Sequence, residues 1–329
     1  MSTKVAAITM IKDECDIIEL FVRINSRSVD HIYVIDHDSK DGTQEILLRL
    51  KAQGFPLTIY KHESSDFQQA IMLTTLCRQI AATNQYDYIV PLDADEFIHT
   101  PNGQDFRQAL AEQVPKDGCG LMAWVTYVPT GGDYYGSKAP LYDVFRKRAK
   151  EPEQFYKVVI PNEPGKTCII AEGSHFIAVN NQWLQGPVIT PVLQHVPVRS
   201  VDQITAKSLI GARRLSIKVG RGKTQTAHWD HMAEKIRAAN YRLPHSEMLS
   251  MAFLYAGDLS QDCDHTAIDE SAPRVGSPDD QILFADLSRI NILMKFDQFA
   301  ASLCGEIRAT RGIKDEEPAP VAAPIAAAA

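Results

Sequence analysis

Tyr88-Ile89-Val90-Pro91-Leu92-Asp93-Ala94-Asp95-Glu96-Phe97 is the stretch whose reading decides the fold. An apolar run ends abruptly in three carboxylates. Residues 88–92 are short, apolar and without helical period, the pattern of a strand buried on both faces. Asp93 and Asp95 then fall at the carboxyl end of that strand, where ligands bind in open α/β sheets. Two carboxylates one residue apart can both reach a hard divalent cation whose other positions are filled by water and phosphate oxygens. The functional reading is a metal that holds a nucleotide diphosphate. The ordinary alternative is a solvated acidic turn after a strand, and an Asp-x-Asp pair taken alone favours that alternative.

Working upstream, strand and helix alternate. Residues 5–11 form an apolar strand, and Ile17, Ile18, Leu20, Phe21 and Ile24 recur at helical spacing behind Asp13-Glu14. Residues 31–35 are a second strand ending in Asp36-His37-Asp38-Ser39. Asp41 caps the next helix, with Gln44 completing a capping box. A third strand at 57–60 and a helix over 67–82 lead back to the acidic strand end. This alternation predicts a parallel sheet with helices on both faces. Parallel strands bring Asp36, the first loop (Met10 to Glu14) and Asp93/Asp95 to one sheet edge. A carboxylate at Asp36 can accept hydrogen bonds from a base N–H or a ribose hydroxyl; a polar loop with a helix cap explains the same residues equally well.

Downstream the character changes. A helix is expected over 106–114, strands at 121–128, 155–160, 174–179 and 188–193, and an aromatic Gly-rich loop at 131–136. Helices follow over 200–217, 232–239, 245–255 and 281–303, and the Pro/Ala-rich tail is expected to be disordered. The domain reading is a catalytic domain over 1–225, split into a nucleotide half (1–100) and an acceptor half (101–225). A C-terminal helical segment (226–312) and the tail (313–329) complete it.

The 329 residues carry 45% apolar and 23% charged side chains, ordinary for a globular protein, with a formal net charge of -7. That balance argues against general nucleic-acid binding. The six scattered cysteines include no C-x-x-C pair, so neither a zinc nor a dithiol redox site is supported, and reduced thiols are expected. The apolar run at 5–11 is too short for a signal-peptide core, and no stretch approaches the ~20 apolar residues that span a bilayer. There is no G-x-G-x-x-G after the first strand and no P-loop, which removes the main support for dinucleotide-binding and P-loop readings.

Three features occur in fixed order: a strand running into Ile11-Lys12-Asp13-Glu14, then Ile35-Asp36-His37-Asp38-Ser39-Lys40-Asp41-Gly42-Thr43, then Leu92-Asp93-Ala94-Asp95-Glu96-Phe97. This series resembles the nucleotide-sugar half of GT-A fold glycosyltransferases, in the bacterial family-2-like branch. His37 stands where those sequences usually carry Asn. The resemblance continues through Phe155-Tyr156-Lys157, Glu172-Gly173-Ser174-His175 and His195-Val196-Pro197-Val198-Arg199-Ser200, over about the first two-thirds of the chain. It implies an α/β, Rossmann-like GT-A fold with a mixed central sheet and a helical C-terminal segment. The implied activity is metal-dependent transfer of a sugar from a UDP- or GDP-type donor to a glycan, lipid-linked or protein acceptor, in cell-surface polysaccharide biosynthesis.

The resemblance also implies roles. Asp36 contacts base and ribose, with Asp13 in the adjoining loop. Asp93 and Asp95 organise Mn²⁺ or Mg²⁺ on the diphosphate, and His195 completes that site; imidazole tilts the choice toward manganese. Lys157, Arg199 and Lys207 are the candidates for neutralising the leaving diphosphate. Glu172 or His175 takes the acceptor proton, with Asp133 and Glu96 as further carboxylates. The basic clusters at 146–150 and 199–223 also suit an anionic lipid or glycan, so the expected location is the cytoplasm, with peripheral contact at the inner face of the membrane. Trp183, Trp229 and Tyr134-Tyr135 are candidates for stacking on sugars, whereas Trp124, in an apolar strand, reads as core. Two other readings use the same carboxylates: a metal-dependent nucleotidyl or phosphoryl transferase, and a nucleotide-sugar-binding module without chemistry.

Overall fold

The structure, a computed structural model, describes residues 2–62, 68–129, 134, 141–149, 154–216, 227–255, 268–269, 271–288 and 291–311. Its first part is β1 (Val5–Ile11), α1 (Ile18–Asn25), β2 (His31–Asp36), α2 (Thr43–Ala52), β3 (Leu57–Lys61), α3 (Gln69–Ala82) and β4 (Tyr88–Pro91). β1 pairs in parallel with β2 and β4, and β2 with β3. Every residue of β1 is buried. Its side chains alternate between two apolar clusters: Val5, Ala7 and Ile11 join α1 and α2, while Ala6, Ile8 and Met10 join Leu73, Leu76, Cys77 and Ile80 of α3. A strand covered on both faces must be apolar throughout, which is why it reads as an unbroken run. Each fully buried Leu or Ile on these helices contributes roughly 1.5–3 kcal/mol.

The second part is β5 (Glu96–His99), α4 (Phe106–Gln113), β6 (Gly120–Val128), α5 (Leu141–Val144), β7 (Lys147–Ala149), β8 (Tyr156–Pro161), α6 (Asn162–Gly165), β9 (Ile169–Ile170), β10 (Ile177–Val179), β11 (Gln182–Trp183) and β12 (Val188–His195). Then come α7 (Val201–Ser216), α8 (Ala227–Ala238), α9 (His245–Tyr255), β13 (Ile268–Asp269) and α10 (Ile292–Thr310). The main sheet runs β13-β7-β6-β8-β4-β1-β2-β3. β8 is antiparallel to both β4 and β6, so the parallel half continues into an antiparallel one. β12 runs parallel to β6 and antiparallel to β5. β9, β10 and β11 form a separate small antiparallel sheet. The mixed α/β sheet with a helical C-terminal segment is therefore as expected. α7, α8 and α9 share a third cluster with Met232, Ile236, Met248 and Met251 at its centre.

Four local expectations change. The helix expected over 281–303 begins only at Ile292, because the N–H groups of Leu283 and Phe284 both donate to the Glu19 carboxylate, 2.9 Å each, and hold that segment against α1. The strand expected from 174 starts at Ile177; Gly173 (φ 70°) and Ser174 (φ 56°) make a 3₁₀ turn over Glu172–Ser174 instead. No capping box forms at α2, whose N-cap is Gly42; Asp41 Oδ1 accepts from the Thr43 N–H (3.1 Å) and hydroxyl (2.6 Å). Tyr134 is fully buried, its N–H donated to the Arg199 carbonyl, and so offers no surface to a sugar. Phe67, Asp133, Tyr135, Lys150, residues 217–226 and the tail 313–329 lie outside the described residues.

Candidate active site

The carboxyl ends of β1, β2 and β4 share one edge because the strands are parallel. Ile11 pairs with Asp36 there. The loops beyond are laced together. The Asp13 N–H donates to Ser39 Oγ, and Asp13 Oδ1 accepts from the Lys40 N–H, both at 2.9 Å. Asp13 itself sits at φ 56°. Asp36 is completely buried; its Oδ1 accepts from the Ser39 N–H at 3.1 Å, and its Oδ2 has no hydrogen-bond partner. Burial pushes this carboxyl above the usual range, against the help of Ser39. The His37 ring stacks on His62 at 5.5 Å beside it.

At the end of β4 the chain turns directly into β5. Asn25 holds the turn, donating to the Glu96 carbonyl and accepting from the Ile98 N–H, 2.9 Å each. Asp93 Oδ1 accepts from Gln69 Nε2 (2.9 Å) and Oδ2 from Lys157 Nζ (2.6 Å). Lys157 arrives from β8 through its pairing with Met122 of β6. Glu96 Oε2 accepts from the Asp93 N–H (2.8 Å) and lies 3.3 Å from Lys157 Nζ, while Oε1 accepts from the Trp124 indole N–H (2.5 Å). β12, antiparallel to β5, sets His195 opposite Glu96. The His195 ring stacks flat on Trp124, 4.4 Å between centroids at 10°.

Asp95 is the hub. Its Oδ2 lies 3.2 Å from Lys207 Nζ and 3.6 Å from Arg199 Nη1, and its Oδ1 lies 3.8 Å from His195 Nε2. Arg199 is 1% exposed and also grips Asp16 through Nε and Nη2 (2.6 and 3.0 Å) and Glu14 through Nη2 (2.5 Å). Tyr255, at the end of α9, closes the far side, 6.0 Å from the His195 ring and 5.9 Å from Lys207 Nζ. The structure thus gathers Asp93, Asp95, Lys157, His195, Arg199 and Lys207, from five separate elements and loops, around one point.

Charge decides the protonation states. Burial raises the Asp95 carboxyl, but Lys207, His195 and Arg199 outweigh it and hold the group well below the usual carboxylate range. Burial pushes Glu96 up to about 8, only partly offset by Lys157. Burial likewise lowers His195 to about 4 against the pull of Asp95, so its imidazole is neutral at pH 7. Burial disfavours the charge on Lys157 and Lys207, yet the carboxylates around them outweigh it and raise both.

Among the described residues, no three His, Cys, Asp or Glu side chains converge as a ready-made cation cage. Two donors do converge, Asp95 and a neutral His195 whose Nδ1 has no hydrogen-bond partner. The surroundings hold five carboxyl groups (Glu14, Asp16, Asp93, Asp95, Glu96) against three cations (Lys157, Arg199, Lys207). The carboxylate–imidazole donor set fits a divalent cation bound by two protein groups and completed by phosphate oxygens and water. Both oxygens of Asp93 are already engaged, by Gln69 and Lys157.

His175 and Glu172 lie on the turn before β10. His175 Nδ1 is 2.7 Å from the Tyr156 carbonyl, which can only accept, so Nδ1 carries the proton and Nε2 the lone pair. Nε2 rests over Gly173, where an added Cβ would sit 2.5 Å away. The His175 ring meets Trp124 edge-on at 5.3 Å, one ring from Glu96. Glu172 is exposed. Trp124 is the residue that sequence reasoning missed: it is only partly buried, and joins Glu96, His195, His175 and Lys157. The available signal was its indole N–H, which needs a partner when buried. Glu14 and Asp16, the anchors of Arg199, and Gln69 were also unassigned. Trp229 packs edge-on against Tyr255 at 6.0 Å and over Gly211, half-buried rather than presented to a ligand.

The chain matches no protein-family model, and no curated protein matches it. Solved structures similar to it include S. aureus TarS 1-349 in complex with UDP, at 11% identity, covering 76% of this chain and 75% of that one, with a TM-score of 0.35. Another is the mannosyltransferase PcManGT from Pyrobaculum calidifontis in complex with GDP-Man and Mn2+, at 14% identity, 95% and 89% coverage, TM-score 0.35. A third is GalNAc-T7 with UDP, GalNAc and Mn2+, at 10% identity, 75% and 56% coverage, TM-score 0.39. Likenesses this distant leave the chemistry to be argued from the site itself.

Proposed function

We propose that this protein is a metal-dependent GT-A glycosyltransferase, moving a sugar from a UDP- or GDP-type donor to a glycan, lipid-linked or protein acceptor. The observation that carries the reading is the Asp95 hub. A carboxylate held ionised by the cations around it, against its burial, lies beside a neutral imidazole at the same carboxyl edge of parallel strands as a buried Asp36 whose Oδ2 lacks a donor. An orphaned buried acceptor is costly unless a ligand supplies a hydrogen. A base N–H or ribose hydroxyl meets that need, with the Asp13 loop alongside.

Asp95 and His195 would hold Mn²⁺ or Mg²⁺, with Asp93 joining once Gln69 or Lys157 releases an oxygen. When bound, the cation offsets the diphosphate charge as the sugar–phosphate bond breaks. Lys207, the most exposed of the three cations, and Arg199 donate to phosphate oxygens, and Lys157 steadies Asp93. His175 is the better-placed base of the expected pair: its Nε2 lone pair is available to take the acceptor's proton while Nδ1–H is tied to Tyr156. Glu172 would then act on the acceptor from the solvent side.

No helix among the described residues is long and apolar enough to cross a membrane. Cytoplasmic action with peripheral contact at the inner membrane face is part of this reading. Calorimetry with UDP and GDP, with and without Mn²⁺, tests it. Binding of one diphosphate that strengthens with Mn²⁺ and is lost in Asp95→Ala is expected. Turnover that releases pyrophosphate instead of nucleoside diphosphate would replace it with nucleotidyl transfer.

A further inference from the structure

The small sheet β9–β10–β11 is unlike the rest of the molecule. Its inner face is ordinary: Ile170 and Ile177 pair with each other and are 1% and 0% exposed in the cluster beneath α3. Its outer face is apolar and open to water. Ile169, Ala178 and Trp183 form one cross-strand row. Phe176, two residues before Ala178, lies on the same face by strand alternation. Trp183 is 60% exposed, Phe176 49% and Ile169 48%. Ala178 between them is small and covered. Single exposed apolar side chains are common, but two aromatic rings and an isoleucine on one flat strip are a surface built for contact.

The chemistry around the strip selects its partner. From Ile169 to Val188 the sequence holds no lysine or arginine, and the cation just before it, Lys166, is paired to Glu163 at 2.6 Å. The nearby Arg78 is held by the Cys168 and Thr167 carbonyls (2.8 and 2.9 Å). An anionic membrane surface would be met by a cluster of free cations, which the strip's own strands do not supply. Its rim consists of amides instead: Asn180, Asn181, Gln182 and Gln185, all exposed. Each amide offers donors and an acceptor. Aromatic faces flanked by uncharged donors and acceptors match a neutral sugar, whose C–H faces stack on rings and whose hydroxyls pair with amides. The strip is also connected to the candidate active site. Rings follow one another from Trp124 to His175 at 5.3 Å and from His175 to Phe176 at 6.5 Å.

We propose that the outer face of β9–β10–β11 is a platform for a neutral glycan chain, seated on Trp183 and Phe176 and leading toward His175. It rests on the glycosyl-transfer reading only in that the glycan is the acceptor's extension; carbohydrate binding itself is independent of transfer. Trp183 anchors the chain, Phe176 supports the residue nearer the site, and the amides read hydroxyls. The function assigned is retention of acceptor, expressed in acceptor KM rather than in kcat.

The test is calorimetry on the full chain with neutral hexaoses: malto-, cello-, manno- and chito-hexaose. UDP and GDP binding with Mn²⁺ is measured in parallel. The proposal expects at least one hexaose to bind, with affinity falling about 10-fold in Trp183→Ala, the size of one aromatic contact, and less in Phe176→Ala. Nucleotide affinity stays unchanged in both variants. Failure of all four hexaoses to bind, or equal affinity in wild type and Trp183→Ala, overturns it. So does a wild-type dimer in sedimentation that Trp183→Ala dissolves, or partition onto phosphatidylglycerol vesicles that Trp183→Ala abolishes. Hexaose binding without any nucleotide binding leaves the platform standing and removes the glycosyltransferase reading instead.

Discussion

The two halves of the molecule contribute opposite charges to one site. The carboxyl groups of Glu14, Asp16, Asp93, Asp95 and Glu96 come from the first hundred residues; the cations Lys157, Arg199 and Lys207, with the neutral imidazole of His195, all come later in the chain. The acidic half sits on loops at the ends of β1 and β4 and at the start of β5. The basic half arrives on β8, β12, the segment after β12, and α7. Neither half can be buried alone, because an ionised group away from water needs a partner. Docking the antiparallel half on the parallel half is therefore what assembles the site, and the same contacts hold the two halves together. The halves differ in what they lose when a partner is removed. Arg199 leaves carboxylates sealed inside the protein, whereas Asp95 leaves a lysine that reaches solvent.

That difference gives the two largest expected effects. Arg199→Met strands Glu14 and Asp16 without their cation. Breaking a buried pair from one side costs about 3–5 kcal/mol, and urea unfolding should show a loss of that size. A loss below about 1 kcal/mol would mean the halves dock without this charge pairing. Asp95→Asn removes the hub but keeps Arg199 on Asp16 and Glu14 and lets Lys207, 28% exposed, hydrate. Stability should change little, while Mn²⁺-supported turnover falls about 10²–10³-fold, the scale of one missing electrostatic contact to the transition state. Unchanged turnover would detach Asp95 from the chemistry.

The acidic half was legible in the sequence because its signals are local. An apolar run followed by carboxylates marks the end of a parallel strand wherever it lies, and three such ends in order placed Asp13, Asp36 and Asp93/Asp95 on one edge. The basic half carries no such strand-end mark: the resemblance and the basic clusters, rather than a local pattern, point to Lys157, His195, Arg199 and Lys207 as candidates. Lys157 faces Asp93 because β8 pairs with β6 in one register, and His195 faces Asp95 because β12 pairs with β5. Those pairings are long-range, so nothing around Lys157 or His195 declares them. Trp124 was read as core for the same reason: its strand is apolar, and only the placement of Glu96 turns its edge into a hydrogen-bond donor. The segment around Leu283 and Phe284 failed as a helix through a contact with Glu19, more than 260 residues away.

The turn that carries Glu172 and His175 sharpens the comparison on a smaller scale. If His175 is the base, protonation stops it, so turnover rises with pH through its pKa. Burial lowers that pKa below the ordinary 6.5. The acid limb of kcat should therefore lie below pH 6.5. His175→Ala should cost about 10²-fold and erase the limb, while Glu172→Gln should leave it in place. A limb that survives in His175→Ala and moves in Glu172→Gln would transfer the role to Glu172. Gly173→Ala tests the same point through geometry: φ 70° and a Cβ 2.5 Å from His175 Nε2 force the ring aside, so the effect should follow His175→Ala in direction.

The smallest expected effect falls where the halves touch most quietly. Trp124→Phe keeps a ring against His195 but removes the indole N–H from Glu96 Oε1. Glu96 keeps the Asp93 N–H and Lys157 on its other oxygen, so the loss is one hydrogen bond, about 1–2 kcal/mol. Because Glu96 also fixes the Asp93 N–H, a looser carboxyl should reach the cation site indirectly. Apparent Mn²⁺ affinity should fall a few-fold with kcat nearly kept. If stability falls and Mn²⁺ affinity does not, Trp124 only packs the junction. If both move together, the wall between the acidic and basic halves is also the part that sets their spacing.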